Sequence, residues 1–145
     1  MMGGLKRLIV AISVLFLFTS VTPVGSNTWG TAWINVKRVI DGDTFKGDIL
    51  NLPKWVGEDV YFRAYGVDTP ERGWRASCPL EFVLAEKCVS IAEEKVIGVQ
   101  LIEISRKDKY GRFLIKLPEY TDILLRDSIA SPYFGGTKKN YFCKD

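Results

Sequence analysis

The sequence predicts a small α+β domain, mainly β, built as a five-stranded barrel of the OB type with two helices. Three observations predict this fold. Short segments alternate apolar and polar residues, one longer segment has helical periodicity, and most of the extended segments come before the helices. Hydrophobic residues make up 47% and charged residues 26% of the 145-residue chain, a balance typical of a single globular domain.

Three of the five predicted extended segments lie in the first half of the chain. The turn sequence Asp41-Gly42-Asp43 separates two of them and predicts a hairpin. The segment 49–58, which contains Pro53 and Gly57, is predicted to be a loop. The five extended segments are residues 33–39, 44–46, 60–67, 99–105 and 113–117.

Two helices are predicted in the second half. Pro79 suits the first position of a helix that runs to about Val96, and one face of it carries Leu80, Leu84, Cys88 and Ile91. A shorter helix is capped by Thr121 or Asp122 and carries Leu124, Leu125 and Ile129. Residues 131–145 form a tail rich in glycine, lysine and aromatic residues.

The N-terminal segment has the order of a secretory signal. Lys6 and Arg7 precede an apolar run from Leu8 to Phe18, and small and polar residues follow. The run is shorter than the roughly 20 apolar residues of a membrane-spanning helix. We therefore predict a signal peptide at residues 1–26, cleaved after Ser26, and a folded domain at residues 27–145. An uncleaved N-terminal anchor is the alternative.

Charge and composition limit the chemistry. The chain contains no histidine, which excludes histidine bases and Cys/His zinc sites. Of the 20 basic residues, Lys6 and Arg7 lie in the predicted signal. The remaining chain therefore has 18 basic and 17 acidic residues. Hydrolysis by this chain would have to use carboxylates, arginines, lysines or a hard metal ion.

Four short segments contain the candidate site residues. Each has a plain structural explanation: Asp41 to Thr44 as a hairpin turn, residues 68–71 as a capped turn, Arg63 as an edge-strand residue, and residues 108–112 as a β-turn. Each also fits a functional explanation. The acidic segments offer oxygen ligands for a hard cation, and an arginine within an apolar strand needs an anionic partner.

Together the segments resemble the staphylococcal nuclease (thermonuclease) family, in order and in approximate spacing. The matching stretches are Val39-Ile40-Asp41-Gly42-Asp43-Thr44, Phe62-Arg63-Ala64-Tyr65-Gly66-Val67-Asp68-Thr69-Pro70-Glu71 and Asp108-Lys109-Tyr110-Gly111-Arg112. Cys78, Cys143 and the tail Pro132-Tyr133-Phe134-Gly135-Gly136 resemble the exported branch of that family in Gram-negative bacteria and their plasmids. The family usually has glycine where Ser128 stands.

The resemblance implies a nuclease that hydrolyses DNA, RNA or both with one Ca2+ ion. It implies nucleic acid as the substrate, a monomer, a periplasmic or secreted location, and no stable membrane association after signal cleavage. The implied roles are Ca2+ ligation by Asp43, Asp68 and the carbonyl of Thr69 with Asp41 behind them; water activation by Glu71; phosphate stabilisation by Arg63 and Arg112; and nucleotide contacts by Lys109, Tyr110 and Tyr133.

The chemistry of these residue types agrees with that implication. A phosphodiester is anionic and repels hydroxide, so its hydrolysis needs positive charge at the non-bridging oxygens, which two arginines and a divalent ion supply. Calcium prefers carboxylate and carbonyl oxygens. Two other interpretations remain: a catalytically inactive OB-type nucleic-acid-binding module, and an exported calcium-binding or adhesion domain.

The three cysteines allow at most one disulfide within the chain. A signal peptide directs the chain to a compartment where disulfides form. A ten-residue step along a helix separates Cys78 from Cys88 by roughly 15 Å, more than the about 7 Å that a bridge allows between Cα atoms. We therefore expect a disulfide between Cys78 and Cys143 and a buried thiol at Cys88, with three free thiols as the alternative.

Overall fold

A computed structural model describes residues 28–143. The predicted signal peptide, residues 1–26, lies outside these residues. The described chain forms seven strands, three α-helices and one 3₁₀ turn. In chain order they are β1 (Gly30–Asp41), β2 (Thr44–Ile49), α1 (Lys54–Gly57), β3 (Val60–Ala64), β4 (Gly66–Asp68), the 3₁₀ turn (Gly73–Arg75), α2 (Pro79–Lys95), β5 (Gly98–Lys107), β6 (Phe113–Lys116), α3 (Pro118–Arg126) and β7 (Ser131–Tyr133).

Five strands close into a barrel in the order β1-β2-β3-β6-β5, which confirms the predicted fold class. The β3–β6 pairing is parallel and the others are antiparallel. Strand β1 is long enough to pair with β5 through its first half and with β2 through its second. This closure leaves no unpaired barrel edge, and it fixes where the β1–β2 hairpin lies relative to β3.

The barrel interior is apolar. Its fully buried side chains include Ile34, Val36, Phe45, Phe62 and Ile115, one or two from each of four strands. Removing a large aliphatic or aromatic side chain of this kind typically costs about 2 to 5 kcal/mol. Helix α2 packs on β1 and on α3, so the helices cover one side of the barrel.

The predicted third strand, residues 60–67, is divided in the structure. Strand β3 ends at Ala64, and β4 begins at Gly66, where φ is +91°. This left-handed backbone conformation suits glycine and turns the chain out of the barrel. Strand β4 then pairs with β7, with Gly66 opposite Tyr133. The division matters because Asp68, the last residue of β4, pairs with β7 and is not part of the barrel wall.

Helix α2 has a different buried face from the predicted one. Leu80 is 56% exposed, whereas Leu84 and Ile91 pack only at the edge of the core. The buried positions are Glu81, Ala85, Cys88, Val89 and Ala92. Most of these side chains are small, which lets the helix lie close to the barrel. Close packing of small residues, and not burial of the largest apolar ones, therefore decides which face of α2 turns inward.

The second predicted helix starts earlier and ends sooner than expected. Helix α3 begins at Pro118, and neither Thr121 nor Asp122 caps it. Proline suits this first position because its missing N–H needs no partner there. Ile129 lies beyond the end of α3 at Arg126 and is buried outside the helix. The predicted loop 49–58 contains the single-turn helix α1.

The cysteine prediction is confirmed. Cys78 and Cys143 form a disulfide with a Cα–Cα distance of 5.9 Å. Cys88 is a free, fully buried thiol on α2. The bridge joins the start of α2 to the tail. Among residues 28–143, no helix is long and apolar enough to cross a membrane.

Candidate active site

Barrel pairing brings the β1–β2 hairpin against β3. Thr44 pairs with Arg63, and the N–H of Ala64 donates to the carbonyl of Asp43 at 2.9 Å. The strand break at Tyr65 brings Asp68 back toward the same place. Three of the four segments singled out in the sequence therefore meet at one end of the barrel, and the turn before β6 supplies the fourth.

Arg63 lies between two buried carboxylates. Its Nη1 atom is 2.6 Å from Oδ2 of Asp43, and its Nη2 atom is 3.3 Å from Oδ1 of Asp68. The side chains of Arg63, Asp43 and Asp68 are only 5%, 7% and 9% exposed. The Nη2 contact is a hydrogen bond, whereas the shorter Nη1 contact is an ion pair without hydrogen-bond geometry. Both terminal nitrogens of this buried guanidinium therefore face a carboxylate, and the arginine balances the charge of the two acids.

Asp43 is the centre of the acidic group. Its Oδ1 accepts a hydrogen bond from the hydroxyl of Thr44 at 2.9 Å, and its Oδ2 accepts a long one, 3.4 Å, from the N–H of Thr69. Thr69 is itself buried. These contacts hold the Asp43 carboxylate against the start of the 69–71 segment.

Asp41 supports Asp43 from the end of β1. Its Oδ1 accepts a hydrogen bond from the N–H of Asp43 at 3.2 Å, and its Oδ2 lies 3.5 Å from Nη2 of Arg75. Burial, and after it the nearby charge of Asp43, raises the pKa of Asp41 to about 6. Burial likewise raises the pKa of Asp68. A bound cation would reduce the electrostatic repulsion between acids held this close together in a low-dielectric setting.

Both helices hold the hairpin turn in place. A Cβ atom at Gly42 would lie 2.6 Å from Cβ of Cys88 on α2, so only glycine fits there. The hydroxyl of Tyr120 on α3 donates to the carbonyl of Gly42 at 2.5 Å. Burial raises the pKa of Tyr120, which keeps this hydroxyl a donor. Contacts with α2 and α3 thus fix the position of the turn that carries Asp43.

Glu71 lies at the open side of the site, with its side chain 36% exposed. Oε1 is 3.3 Å from Nζ of Lys138, and Oε2 is 3.5 Å from Nε of Arg75. The backbone N–H of Glu71 donates to Oε1 of Glu81 at 3.1 Å. Its carboxylate is accessible to water and lies next to the buried acids, as a base that activates water requires.

Arg112 reaches the same site from the turn before β6. The Asp108 carboxylate accepts from its Nε at 2.7 Å and from its backbone N–H at 3.0 Å. Nη1 of Arg112 donates to the hydroxyl of Thr44 at 3.1 Å. Although burial opposes it, the hydrogen bonds from Arg112 and its neighbours lower the pKa of Asp108. The arginine is thereby oriented toward the hairpin.

The predicted nucleotide-contact residues line an open cleft of about 660 Å³ beside the acids. Lys109 and Arg112 lie 5.0 and 5.4 Å from the centre of the Tyr110 ring, and Arg63 lies 5.4 Å from that of Tyr133. A second cleft, of about 550 Å³, contains Asp41, Asp43, Thr69 and Glu71. The two clefts share Tyr110, Arg112 and Lys138.

Lys138 is the main site residue that sequence reasoning missed. Its Nζ atom is 2.6 Å from Oδ1 of Asp68 and 3.3 Å from Oε1 of Glu71, and its side chain is 46% exposed. Burial lowers the pKa of Lys138, but the hydrogen bond to Asp68 and the surrounding carboxylates raise it overall, so the amine is charged. The disulfide prediction and the predicted nucleotide contact of Tyr133 pointed to the tail, but neither of them indicated Lys138 itself.

Arg75, Thr44 and Glu81 were also missed. Arg75 contacts Asp41 and Glu71, and Thr44 connects Asp43 to Arg112. Arg75 is four residues after Glu71, at the end of the 3₁₀ turn, and the extended or irregular segment between them gives no periodic pattern that would indicate the contact. Glu81 reads in the sequence as one of several acids on a helix.

The donor set fits a hard divalent cation by charge and by atom type. Asp43 and Asp68 present carboxylates that already accommodate two side-chain cations, Arg63 and Lys138, and the backbone N–H of Thr69 donates to Asp43. Within residues 28–143, the tightest candidate cluster of metal-binding types is instead Cys78, Glu81 and Cys143. Its two sulfurs are joined in the disulfide, so that cluster offers no thiolates.

No protein-family model matches the chain, and no curated protein is significantly similar to it. The fold and the arrangement of these side chains therefore carry the functional argument.

Proposed function

We propose that this protein is an exported, calcium-dependent nuclease that hydrolyses phosphodiester bonds in DNA, RNA or both. The observation that carries the proposal is one continuous chain of contacts. Arg112 donates to Thr44, Thr44 donates to Asp43, and Asp43 pairs with Arg63. Two arginines separated by 49 positions in the sequence thus meet at the same hairpin, next to Glu71.

The arginines provide what phosphodiester hydrolysis needs. Charge develops on the phosphate oxygens as the attacking oxygen adds, and guanidinium groups stabilise it with paired N–H donors. Arg63 lies at the proposed ion site through its pairs with Asp43 and Asp68, and the guanidinium of Arg112 lies 5.4 Å from the centre of the Tyr110 ring. Asp43, Asp68 and the carbonyl of Thr69 would hold the Ca2+ ion, with Asp41 behind them. When bound, the ion supplies further positive charge at the non-bridging oxygens.

Glu71 acts as the base in this scheme. It accepts a proton from the attacking water while the oxygen of that water forms a bond to phosphorus. The bond from phosphorus to the leaving sugar oxygen breaks, and that oxygen takes a proton from solvent. The chain contains no histidine, so a carboxylate next to the acids and open to water is the group best suited to this role.

The substrate would lie along the 660 Å³ cleft. Lys109 offers a phosphate contact, and Tyr110 and Tyr133 offer ring faces against which bases stack. Export is part of the proposal because residues 1–26 have signal character and the Cys78–Cys143 disulfide is of the kind stable outside the reducing cytoplasm.

A gel assay tests the proposal. Purified residues 27–145, oxidised, are incubated with plasmid DNA, single-stranded DNA and RNA in Ca2+, in Mg2+ and in EDTA. We expect cleavage in Ca2+ and none in EDTA, and for Glu71→Gln a large loss of turnover with little change in substrate affinity. Binding of nucleic acid without cleavage by the wild-type chain would instead favour the inactive OB-type module. Binding of Ca2+ without affinity for nucleic acid would favour the calcium-binding or adhesion domain.

A further inference from the structure

Lys138 occupies the space between two groups to which the proposed function gives different roles. Its Nζ atom lies 2.6 Å from Asp68, a proposed Ca2+ ligand, and 3.3 Å from Glu71, the proposed base. Lys139, the next residue, makes neither of these contacts. The ammonium group therefore places one positive charge on the acids to which the ion would bind.

The tail is fixed on both sides of Lys138. Before it, β7 pairs with β4, and the hydroxyl of Tyr133 donates to the carbonyl of Gly136 at 2.9 Å. After it, Cys143 is bonded to Cys78 at the start of α2. Strand β7 ends at Tyr133, and the disulfide holds Cys143, ten positions later. These two anchors restrict where the lysine can lie. Its position at Asp68 is thus a consequence of the tail path rather than of one flexible side chain alone.

A divalent ion and this ammonium group compete for the same oxygen. A carboxylate oxygen 2.6 Å from Nζ has a donor hydrogen directed at it, and a calcium ion at the usual roughly 2.4 Å from that oxygen would lie close to the lysine charge. Repulsion between the two cations makes joint occupancy costly. The apparent affinity for the ion is therefore the intrinsic affinity multiplied by the fraction of molecules in which the lysine has moved away.

We propose that Lys138 is an internal competitor for the divalent cation, which holds Asp68 and Glu71 in the ion-free protein and sets the Ca2+ concentration at which the site fills. This inference rests on the proposed Ca2+ site. The pair of Lys138 with Glu71, in which the side chains are 46% and 36% exposed, contributes little to stability by itself. The position of Lys138 beside the proposed base also means that Ca2+ binding frees Glu71 from its nearest cation.

Isothermal titration with Ca2+ in dilute buffer, in the absence of nucleic acid, tests this directly. Four oxidised proteins are compared: wild type, Lys138→Met, Lys138→Arg and Lys139→Met. Lys138→Met keeps the length of the side chain and removes the charge, Lys138→Arg keeps the charge, and Lys139→Met removes an equal charge from the adjacent position. We expect Lys138→Met to bind Ca2+ about 3- to 10-fold more tightly, and the other two variants to stay within about twofold of wild type.

The outcomes separate this inference from the proposed function. Unchanged or weaker Ca2+ binding by Lys138→Met overturns the inference, as does equal tightening by Lys139→Met, which would indicate only a net-charge effect. Absence of Ca2+ binding in both wild type and Lys138→Met overturns it too. If Lys138→Met tightens binding while wild type cleaves no nucleic acid, the inference stands and the proposed nuclease function fails.

Discussion

The buried carboxylate of Glu81 holds the backbone of Glu71. Oε1 of Glu81 accepts from the N–H of Glu71 at 3.1 Å, and Oε2 accepts from the N–H of Ser77 at 2.7 Å. Glu81 lies in the first turn of α2, only 4% exposed, where a negative charge is favourable. One side chain thereby ties both ends of the 71–77 loop to the helix, next to the Cys78–Cys143 bridge. The position of the proposed base depends on a residue that does not face the substrate cleft.

Replacing Glu81 with alanine is expected to destabilise the protein and to displace Glu71. Two partly buried backbone N–H groups lose their acceptors, and a hydrogen bond of this kind typically contributes about 0.5 to 1.5 kcal/mol. Urea denaturation of the oxidised domain measures this, with Glu93→Ala as a control at an exposed acid on the same helix. Equal stabilities for Glu81→Ala and Glu93→Ala would show that the two hydrogen bonds do not hold the loop.

Asp43→Asn is expected to abolish cleavage at low Ca2+ while leaving the barrel folded. The amide keeps the shape and one oxygen acceptor, but it removes the charge that faces both Arg63 and the proposed ion. Circular dichroism checks the fold, and cleavage rates over a Ca2+ titration check the site. Full activity of this variant in excess EDTA would contradict the assignment of Asp43 as a ligand.

Arg63→Lys is expected to lower turnover severely, even though the charge is kept. Lysine cannot present two parallel donors, and it cannot span Asp43 and Asp68 as the guanidinium does. Loss of one donor to a developing oxyanion typically costs on the order of 100- to 1,000-fold in rate. Arg126→Lys, at a 72% exposed arginine, is the matched control. Near-normal turnover of Arg63→Lys would show that a single point charge suffices.

The sequence predicted well those features that depend on a few neighbouring residues. Asp41-Gly42-Asp43 forms the expected hairpin turn, and in the Asp108 turn the N–H of Gly111 donates to the carbonyl of Asp108 at 3.0 Å. A turn sequence is a short-range signal that needs no knowledge of the rest of the fold. The barrel itself followed from the count and spacing of extended segments.

The features that sequence reasoning missed depend on contacts between distant residues. Lys138 reaches Asp68 across 70 positions, and the division of the third strand at Tyr65 depends on pairing of β4 with β7. Helix α2 turns its small residues inward because the hairpin approaches closely at Gly42. None of these effects leaves a periodic pattern, since each depends on where another segment lies in space.

Ser128→Gly is expected to stabilise the protein. Ser128 has φ of +55°, directly after α3, and the chain there forms a Schellman motif: Ser128 N–H donates to the Leu125 carbonyl and Ile129 N–H to the Leu124 carbonyl. A left-handed conformation is strained for residues other than glycine, by about 1 to 2 kcal/mol. Part of that gain is offset by the extra freedom of glycine in the unfolded chain.

We therefore expect a net gain of about 0.5 to 1 kcal/mol in the free energy of unfolding for Ser128→Gly. Ser128→Ala provides the control because alanine is strained in the same way and is expected to give no gain. Urea denaturation compares the three proteins. A loss of stability in Ser128→Gly would show that the serine side chain contributes more than its backbone strain costs.

Cys88 is expected to resist alkylation in the folded, oxidised protein. It is fully buried, its Sγ–H donates to the carbonyl of Ile129 at 3.3 Å, and burial raises the pKa of its thiol to about 12. At pH 8 such a thiol is about one part in 10,000 thiolate, and the thiolate is the reactive form. Iodoacetamide at pH 8 should modify no cysteine in the native protein, one in urea, and three in urea after reduction. Rapid modification of Cys88 without urea would contradict its burial, and a peptide joining Cys88 to Cys143 would contradict the pairing with Cys78.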